Sequence, residues 1–217
     1  MTNTLNYLGA IHDQLQKQWP DNKTVNIVCH GHSVPAGYFA TPYVNSLEAY
    51  PQLLLKIIKQ RFPFAVANVI VSAIGGENSE SGMKRFSSDV LNHNPAVVTI
   101  DYGLNDRGIG LPKAMEFWEN MIEKAAESDV KIILLTPSWD KSYFQKDENW
   151  KNLEAHAGQI RKLAEKHATG LADVFLKFGE YVKKEEDLVA LLSHVNHPSE
   201  IGHRIIAEEI AKYFIAR

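Results

Sequence analysis

The sequence predicts an α/β fold in which helices cover both faces of a mainly parallel, five-stranded sheet. Three observations predict it. Short β-branched apolar runs alternate along the chain with longer segments whose apolar residues recur every 3.6 positions, the order expected of repeated βα units. The short runs are continuous rather than alternating, as in strands buried on both faces. The chain has 217 residues, 45% of them hydrophobic and 23% charged, which suits a single domain over residues 1–217 with a sizeable core.

In chain order, "MTNTLNYLGAIHDQLQKQW" opens with Leu5, Leu8, Ile11 and Leu15 at helical spacing. It lacks the basic leader and apolar core of a signal peptide. Strand candidates follow at 25–29 ("VNIVC"), 65–73 ("AVANVIVSA"), 96–102 ("AVVTIDY"), 131–136 ("KIILLT") and, more weakly patterned, 170–175 ("GLADVF"). Helical periodicity marks roughly 46–61, 80–92, 112–128, 148–168 and 199–215. In the fourth of these, Leu153, Ala157, Ile160, Leu163 and Ala164 form one apolar stripe. Irregular stretches at 30–45, 73–80, 103–111 and 137–147 each follow a strand candidate. Ligands of open α/β sheets bind beyond the carboxyl ends of the strands, so chemistry is expected in these loops.

Composition excludes several classes. With a net charge of −3 and scattered basic residues, no nucleic-acid or acidic-membrane surface is expected. The one cysteine, Cys29, lies in an apolar run, so a disulfide within the chain or a thiolate zinc site is excluded. No apolar run approaches the roughly 20 residues of a membrane span. A soluble, cytoplasmic protein without a cofactor is the expectation.

Four segments could carry chemistry. "CHGHSVPAGYF" presents Ser33 just after a buried strand. A serine hydroxyl is a weak nucleophile and needs a base within hydrogen-bond reach. "SAIGGENSESG" offers a backbone N–H at Gly76 where a ligand could come close. "DYGLNDRGIG" places the Asn105 amide at the sheet edge, where it can stabilise a developing oxyanion without adding charge. Its neighbour Asp106 could pair with Arg107 or cap the next segment. "HVNHPSEIGH" holds His197 immediately before a helix start marked by Pro198, Ser199 and Glu200.

Together these segments resemble the SGNH (GDSL-type) hydrolase superfamily. "GHS" stands where the family has G-D-S, "IGGENS" supplies the second-block glycine, "GLND" matches G-x-N-D unchanged, and "HVNHP" matches D-x-x-H-P. The resemblance implies a three-layer α/β/α sandwich with a flavodoxin-like sheet in the order 2-1-3-4-5. It further implies a serine esterase acting on a small-molecule ester through an acyl-enzyme. Ser33 would be the nucleophile and His197 the base, with Ser33, Gly76 and Asn105 as oxyanion donors. Two positions depart from the pattern: His32 replaces the aspartate before the nucleophile, and His194 stands where the family places the acid that orients the base. His194 could serve by its lone pair or its backbone carbonyl, or another acid could substitute. Tyr38, Phe39, Tyr43, Trp139, Tyr143 and Phe144 could line an acyl or sugar pocket.

Five of the nine histidines lie in two short segments, so a metal-dependent hydrolase using His30, His32, His194 and His197 is the competing enzyme class. The 217 residues offer five βα units where a metal-dependent barrel needs eight, and no metal is expected. A non-catalytic binding module on a degenerate hydrolase fold is the third class. His203, inside the last helix, is expected to serve packing.

Overall fold

Five strands lie side by side, all parallel, in the order β2-β1-β3-β4-β5. They are β1 (Val25–Gly31), β2 (Ala67–Ala73), β3 (Val97–Asp101), β4 (Lys131–Leu135) and β5 (Gly170–Ala172). The computed structural model describes residues 7–185 and 187–215. Leu5 of the expected N-terminal stripe lies outside them. The helices are α1 (Gly9–Leu15), α2 (Ser33–Ala36), α3 (Tyr50–Arg61), α4 (Ser79–Asp89), α5 (Leu111–Glu127), α6 (Ser142–Gln145), α7 (Glu148–Lys166), α8 (Val174–Glu185) and α9 (Glu200–Ile215). Among the described residues, no helix is long and apolar enough to cross a membrane.

Successive residues of β1 face opposite cores, as the two-residue period of a strand requires. Ile27 and Cys29 join Leu54 and Ile58 of α3 and Ile206 and Ile210 of α9 in one cluster. Val28, between them, packs with Phe86 of α4 and with Trp118 and Met121 of α5 in the other. Each such side chain, fully buried, contributes on the order of 1.5–3 kcal/mol. The three-layer sandwich follows from this division.

Three boundaries differ from the sequence reading. The segment 170–175 is a strand only as far as Ala172, because Asp173 ends it. Its carboxylate accepts from the Leu176 N–H at 3.2 Å and from both Arg161 Nε and Nη2, at 2.7 and 2.9 Å. Val174, Phe178 and Val182 then form the buried stripe of α8, a helix the continuous run "ADVF" disguised. Helix 46–61 is split into a 3₁₀ turn at Ser46–Glu48 and α3, whose first turn holds Pro51. A proline there needs no N–H partner, and the break falls at Ala49, which is extended with ψ of 151°. The 80–92 segment likewise ends its α-helix at Asp89 and continues as a 3₁₀ turn over Leu91–His93.

The strand ends are in step. Gly31 pairs with Ala73 on one side and Asp101 on the other, so the loops after β1, β2 and β3 leave the sheet together. Trp118 ties the core to them: its Nε1–H donates to Asp106 Oδ2 at 2.6 Å, and Asp106 Oδ1 accepts from the Ser79 N–H at 2.8 Å. Trp118→Phe keeps most of the packing but leaves a buried carboxylate oxygen without its donor. Chemical denaturation should show a loss of about 1–3 kcal/mol; an unchanged midpoint would mean the contact contributes nothing.

Candidate active site

Ser33 begins the short turn α2, two residues beyond the end of β1. Gly31 is needed at the strand end because a Cβ there would lie 2.6 Å from the Asp101 carbonyl oxygen. The first N–H groups of any helical turn lack a partner within it. Here His32 Nδ1 accepts from the Val34 N–H at 3.2 Å. The Ser33 side chain is nearly buried, and its Oγ lies 3.0 Å from His197 Nε2 and 3.4 Å from His32 Nδ1.

His197 is held in a tight turn. Its carbonyl accepts from the Ser193 N–H and hydroxyl, and Leu192 bridges to Pro198. Ser199 caps α9, its hydroxyl accepting from the Gly202 N–H at 3.3 Å. The His197 ring itself is fixed from the opposite end of the chain. Its Nδ1 lies 2.7 Å from the main-chain carbonyl of Phe39, which can only accept. Nδ1 therefore carries the proton and donates. Nε2 is left with a lone pair aimed at the Ser33 hydroxyl.

This corrects the expectation for His194. Among the described residues it is the Phe39 carbonyl, and not the His194 imidazole, its carbonyl or an acid, that holds the His197 ring. His194 is exposed, and its charge acts on His197 only through space. Burial pushes the His197 pKa below its usual 6.5, the Phe39 hydrogen bond partly opposing and the His194 charge adding to the fall. Phe39 also departs from the pocket role expected of it. It is buried, its ring 4.9 Å from that of His203, and its N–H is tied to the Tyr43 carbonyl.

Gly76 has a left-handed φ of +83°, and the space beside its Cα is open, as a backbone donor facing a ligand requires. The Asn105 amide donates to the Glu77 carbonyl at 2.8 Å with one of its two hydrogens, leaving the other. Glu77 is itself clamped by Arg85 Nε and Nη2. Tyr38 is half-buried, 6.0 Å from the His197 ring and against Gly75. Asp106 serves Ser79 and Trp118 rather than Arg107, and burial pushes its pKa up to about 6. Arg107 instead donates to Asp140 Oδ2 at 2.7 Å. That pair lines a cleft of about 520 Å³ together with Asn105, Lys141 and Asn196.

Trp139, expected in the pocket, is only 8% exposed. It stacks on Tyr143 at 4.7 Å and packs edge-on against Trp150, an aromatic cluster that also contains Phe175. The stretch 137–147, irregular by sequence pattern, contributes Trp139 and Tyr143 to this secondary core around α6. Tyr43 and Phe144 are exposed.

The histidines of the metal alternative are dispersed among separate protein partners. His30 Nδ1 faces Ser72 and its Nε2 faces the Gly82 carbonyl and the Tyr102 hydroxyl, and burial lowers its pKa to about 4. His32 caps α2, and His197 uses both nitrogens as above. His203 is fully buried, with Nδ1 accepting from the Tyr50 N–H. Among the described residues, no three His, Cys, Asp or Glu side chains form a group able to hold a metal.

Residues 29–205 match the model of the GDSL-like lipase/acylhydrolase family. No curated protein sequence matches the chain. Among solved structures, an acetylxylan esterase from Geobacillus stearothermophilus is 20% identical with a TM-score of 0.77, over 88% of this chain and 94% of that one. An α/β hydrolase enzyme from the metagenome of Lake Arreo, Spain, is 21% identical with a TM-score of 0.76, over 88% and 96%. The acetyl xylan esterase AlAXEase is 24% identical with a TM-score of 0.74, over 86% and 98%. At these identities the likeness is one of fold. The family match spans both Ser33 and His197 and every loop between them, so the chain belongs to the GDSL-like lipase/acylhydrolase family and is a carboxylic ester hydrolase.

Proposed function

We propose that the protein removes short acyl groups, acetyl foremost, from a hydroxylated small-molecule alcohol such as a sugar, by way of an acyl-enzyme on Ser33. The observation that carries this reading is the 3.0 Å contact between Ser33 Oγ and an imidazole whose tautomer is fixed by the Phe39 carbonyl. His197 Nε2 takes the hydroxyl proton as Oγ bonds to the carbonyl carbon. The Ser33 and Gly76 N–H groups and the free Asn105 hydrogen stabilise the oxyanion. As the carbon–oxygen bond to the alcohol breaks, His197 returns the proton to the leaving oxygen. Water, deprotonated by the same nitrogen, then releases the acid.

The alcohol side is inferred from the cleft beside Asn105 and Asn196. Its walls, Arg107, Asp140, Lys141 and Asn149 among them, suit hydroxyl groups better than a lipid chain. The acetylxylan esterase neighbours support the same substrate class. With p-nitrophenyl esters of increasing chain length beside acetylated xylo-oligosaccharides, kcat/KM should fall beyond short acyl chains. A preference for long acyl chains would sink the acetyl reading.

Ser33→Ala should abolish turnover at unchanged melting temperature, and His197→Ala should cost on the order of 10³-fold or more in kcat. A serine variant that retains most of its activity would remove Ser33 from the mechanism.

The base works only when neutral. Because the His197 pKa is lowered in the fold, activity persists at pH 6.5 and is lost as pH falls through that lowered value. His194→Ala removes a nearby positive charge, so it should move the acid midpoint of kcat/KM upward while costing well under the roughly tenfold that 1.4 kcal/mol of barrier represents. A midpoint that stays put or falls would contradict the electrostatic role.

His203→Ala should be nearly silent in kcat. It empties a packed site and frees the Tyr50 N–H, so its cost should appear as about 1–3 kcal/mol of stability in a denaturation experiment.

A further inference from the structure

Below the nucleophile lies an imidazole–carboxyl couple that the reaction steps above do not use. His32 is wholly buried, and its Nδ1 accepts from the Val34 N–H, so the ring proton sits on Nε2. That Nε2–H has no hydrogen-bond partner within normal distance. The nearest charge is Asp101 Oδ1 at 3.6 Å, on a carboxyl group that is itself buried at the end of β3. A buried N–H and a buried carboxylate each lose their water on folding, and at 3.6 Å these two attract each other through charge rather than through a formed hydrogen bond. Gly31 pairs with Asp101 across the sheet, so this contact fixes the strand end from which Ser33 projects.

We propose that Asp101 and His32 are a positioning couple for Ser33. The Asp101 carboxylate holds the Nε2–H of His32, which keeps Nδ1 free to pin the first turn of α2 and so the direction of the Ser33 hydroxyl towards His197. The couple also explains why this chain can do without an aspartate before the nucleophile. A carboxylate at position 32 would meet Asp101 in the same buried space, and two like charges there would repel. The negative group sits on the neighbouring strand, and a neutral acceptor occupies the cap.

Cys29 of β1, Tyr50 of α3, Asp106 and His32 surround the carboxyl group. Burial, with Asp106 adding to it, pushes Asp101 up to about 7. At pH 8 the carboxylate form prevails, and the couple weakens as pH falls through that value.

The inference rests on the serine mechanism above, and a charge exchange separates the two. With p-nitrophenyl acetate at pH 8, Asp101→Asn should lower kcat by about tenfold with KM little changed, a barrier of about 1.4 kcal/mol. His32→Asp should lower it on the order of 100-fold, because it buries two carboxylates together. The double variant His32→Asp/Asp101→Asn relieves that repulsion and keeps a capping oxygen, so it should recover to within about tenfold of the unmodified protein. Fluorophosphonate labelling of Ser33 should follow kcat through the series. Asp101→Asn should also remove a shoulder near pH 7 from the kcat profile, above the final fall set by His197. Should His32→Asp fail to fold, the Asp101→Asn ratio of kcat to KM and its pH profile decide alone. Losses that multiply in the double variant, or an Asp101→Asn enzyme with unaltered kcat, would overturn the couple. An unmodified protein that does not label at all would instead overturn the serine mechanism.

Discussion

The hydrogen bond from His197 Nδ1 to the Phe39 carbonyl joins residues 158 positions apart and decides what the candidate site can do. It forces the lone pair onto Nε2; with the other tautomer Nε2–H would donate to Ser33 Oγ across the 3.0 Å contact and could not take the hydroxyl proton. It also demands that the loop after β1 be rigid. The chain meets that demand with the Tyr38–Val44 bridge, the Phe39–Tyr43 hydrogen bond and the packing of the Phe39 ring against that of His203. Much of the loop's apolar packing is explained by the need to present one carbonyl oxygen.

A carbonyl in place of a carboxylate has an electrostatic consequence. The tautomer is fixed equally well, but in the proposed mechanism the imidazolium of the transition state would meet a dipole instead of a full charge. Burial and His194 push in the same direction by disfavouring the protonated ring. His197 is thus a weaker base than one paired with aspartate, though it stays neutral and available further into acid. The site trades basicity for readiness.

Much of this was legible in the sequence. The five βα rounds read directly because each strand run is β-branched and each helix periodic. Ser33 and His197 could be singled out because each sits at the junction of a strand or turn with a helix start. The orienting group could not be read, since it is a main-chain atom and any residue at position 39 would supply it. Asp101 was hidden for a different reason: "AVVTIDY" reads as a strand, and only its register with Gly31 puts the carboxyl beneath His32. Trp139 misled because an aromatic loop residue looks the same in sequence whether it lines a pocket or, as here, packs against Tyr143, Trp150 and Phe175. The α8 stripe of Val174, Phe178 and Val182 was visible but was masked by a continuous apolar run that suits a strand equally well.

The floor of the site carries its own acid–base balance. Burial lowers His30 to about 4 and both His32 and His203 to about 3, so the folded protein keeps these rings neutral. The unfolded chain protonates them near 6.5, so their contribution to stability is full above that pH and declines below it. Asp101 and Asp106 act with the opposite sign. Raised to about 7 and about 6, they bind protons more tightly in the fold than their usual 3.8 allows, and acidification towards that value favours the native state. Below pH 6.5 the three histidines outweigh the two carboxyls, because each group counts as about one proton while it titrates. These five groups therefore favour folding most near neutral pH, where the lowered pKa of His197 also leaves that ring neutral.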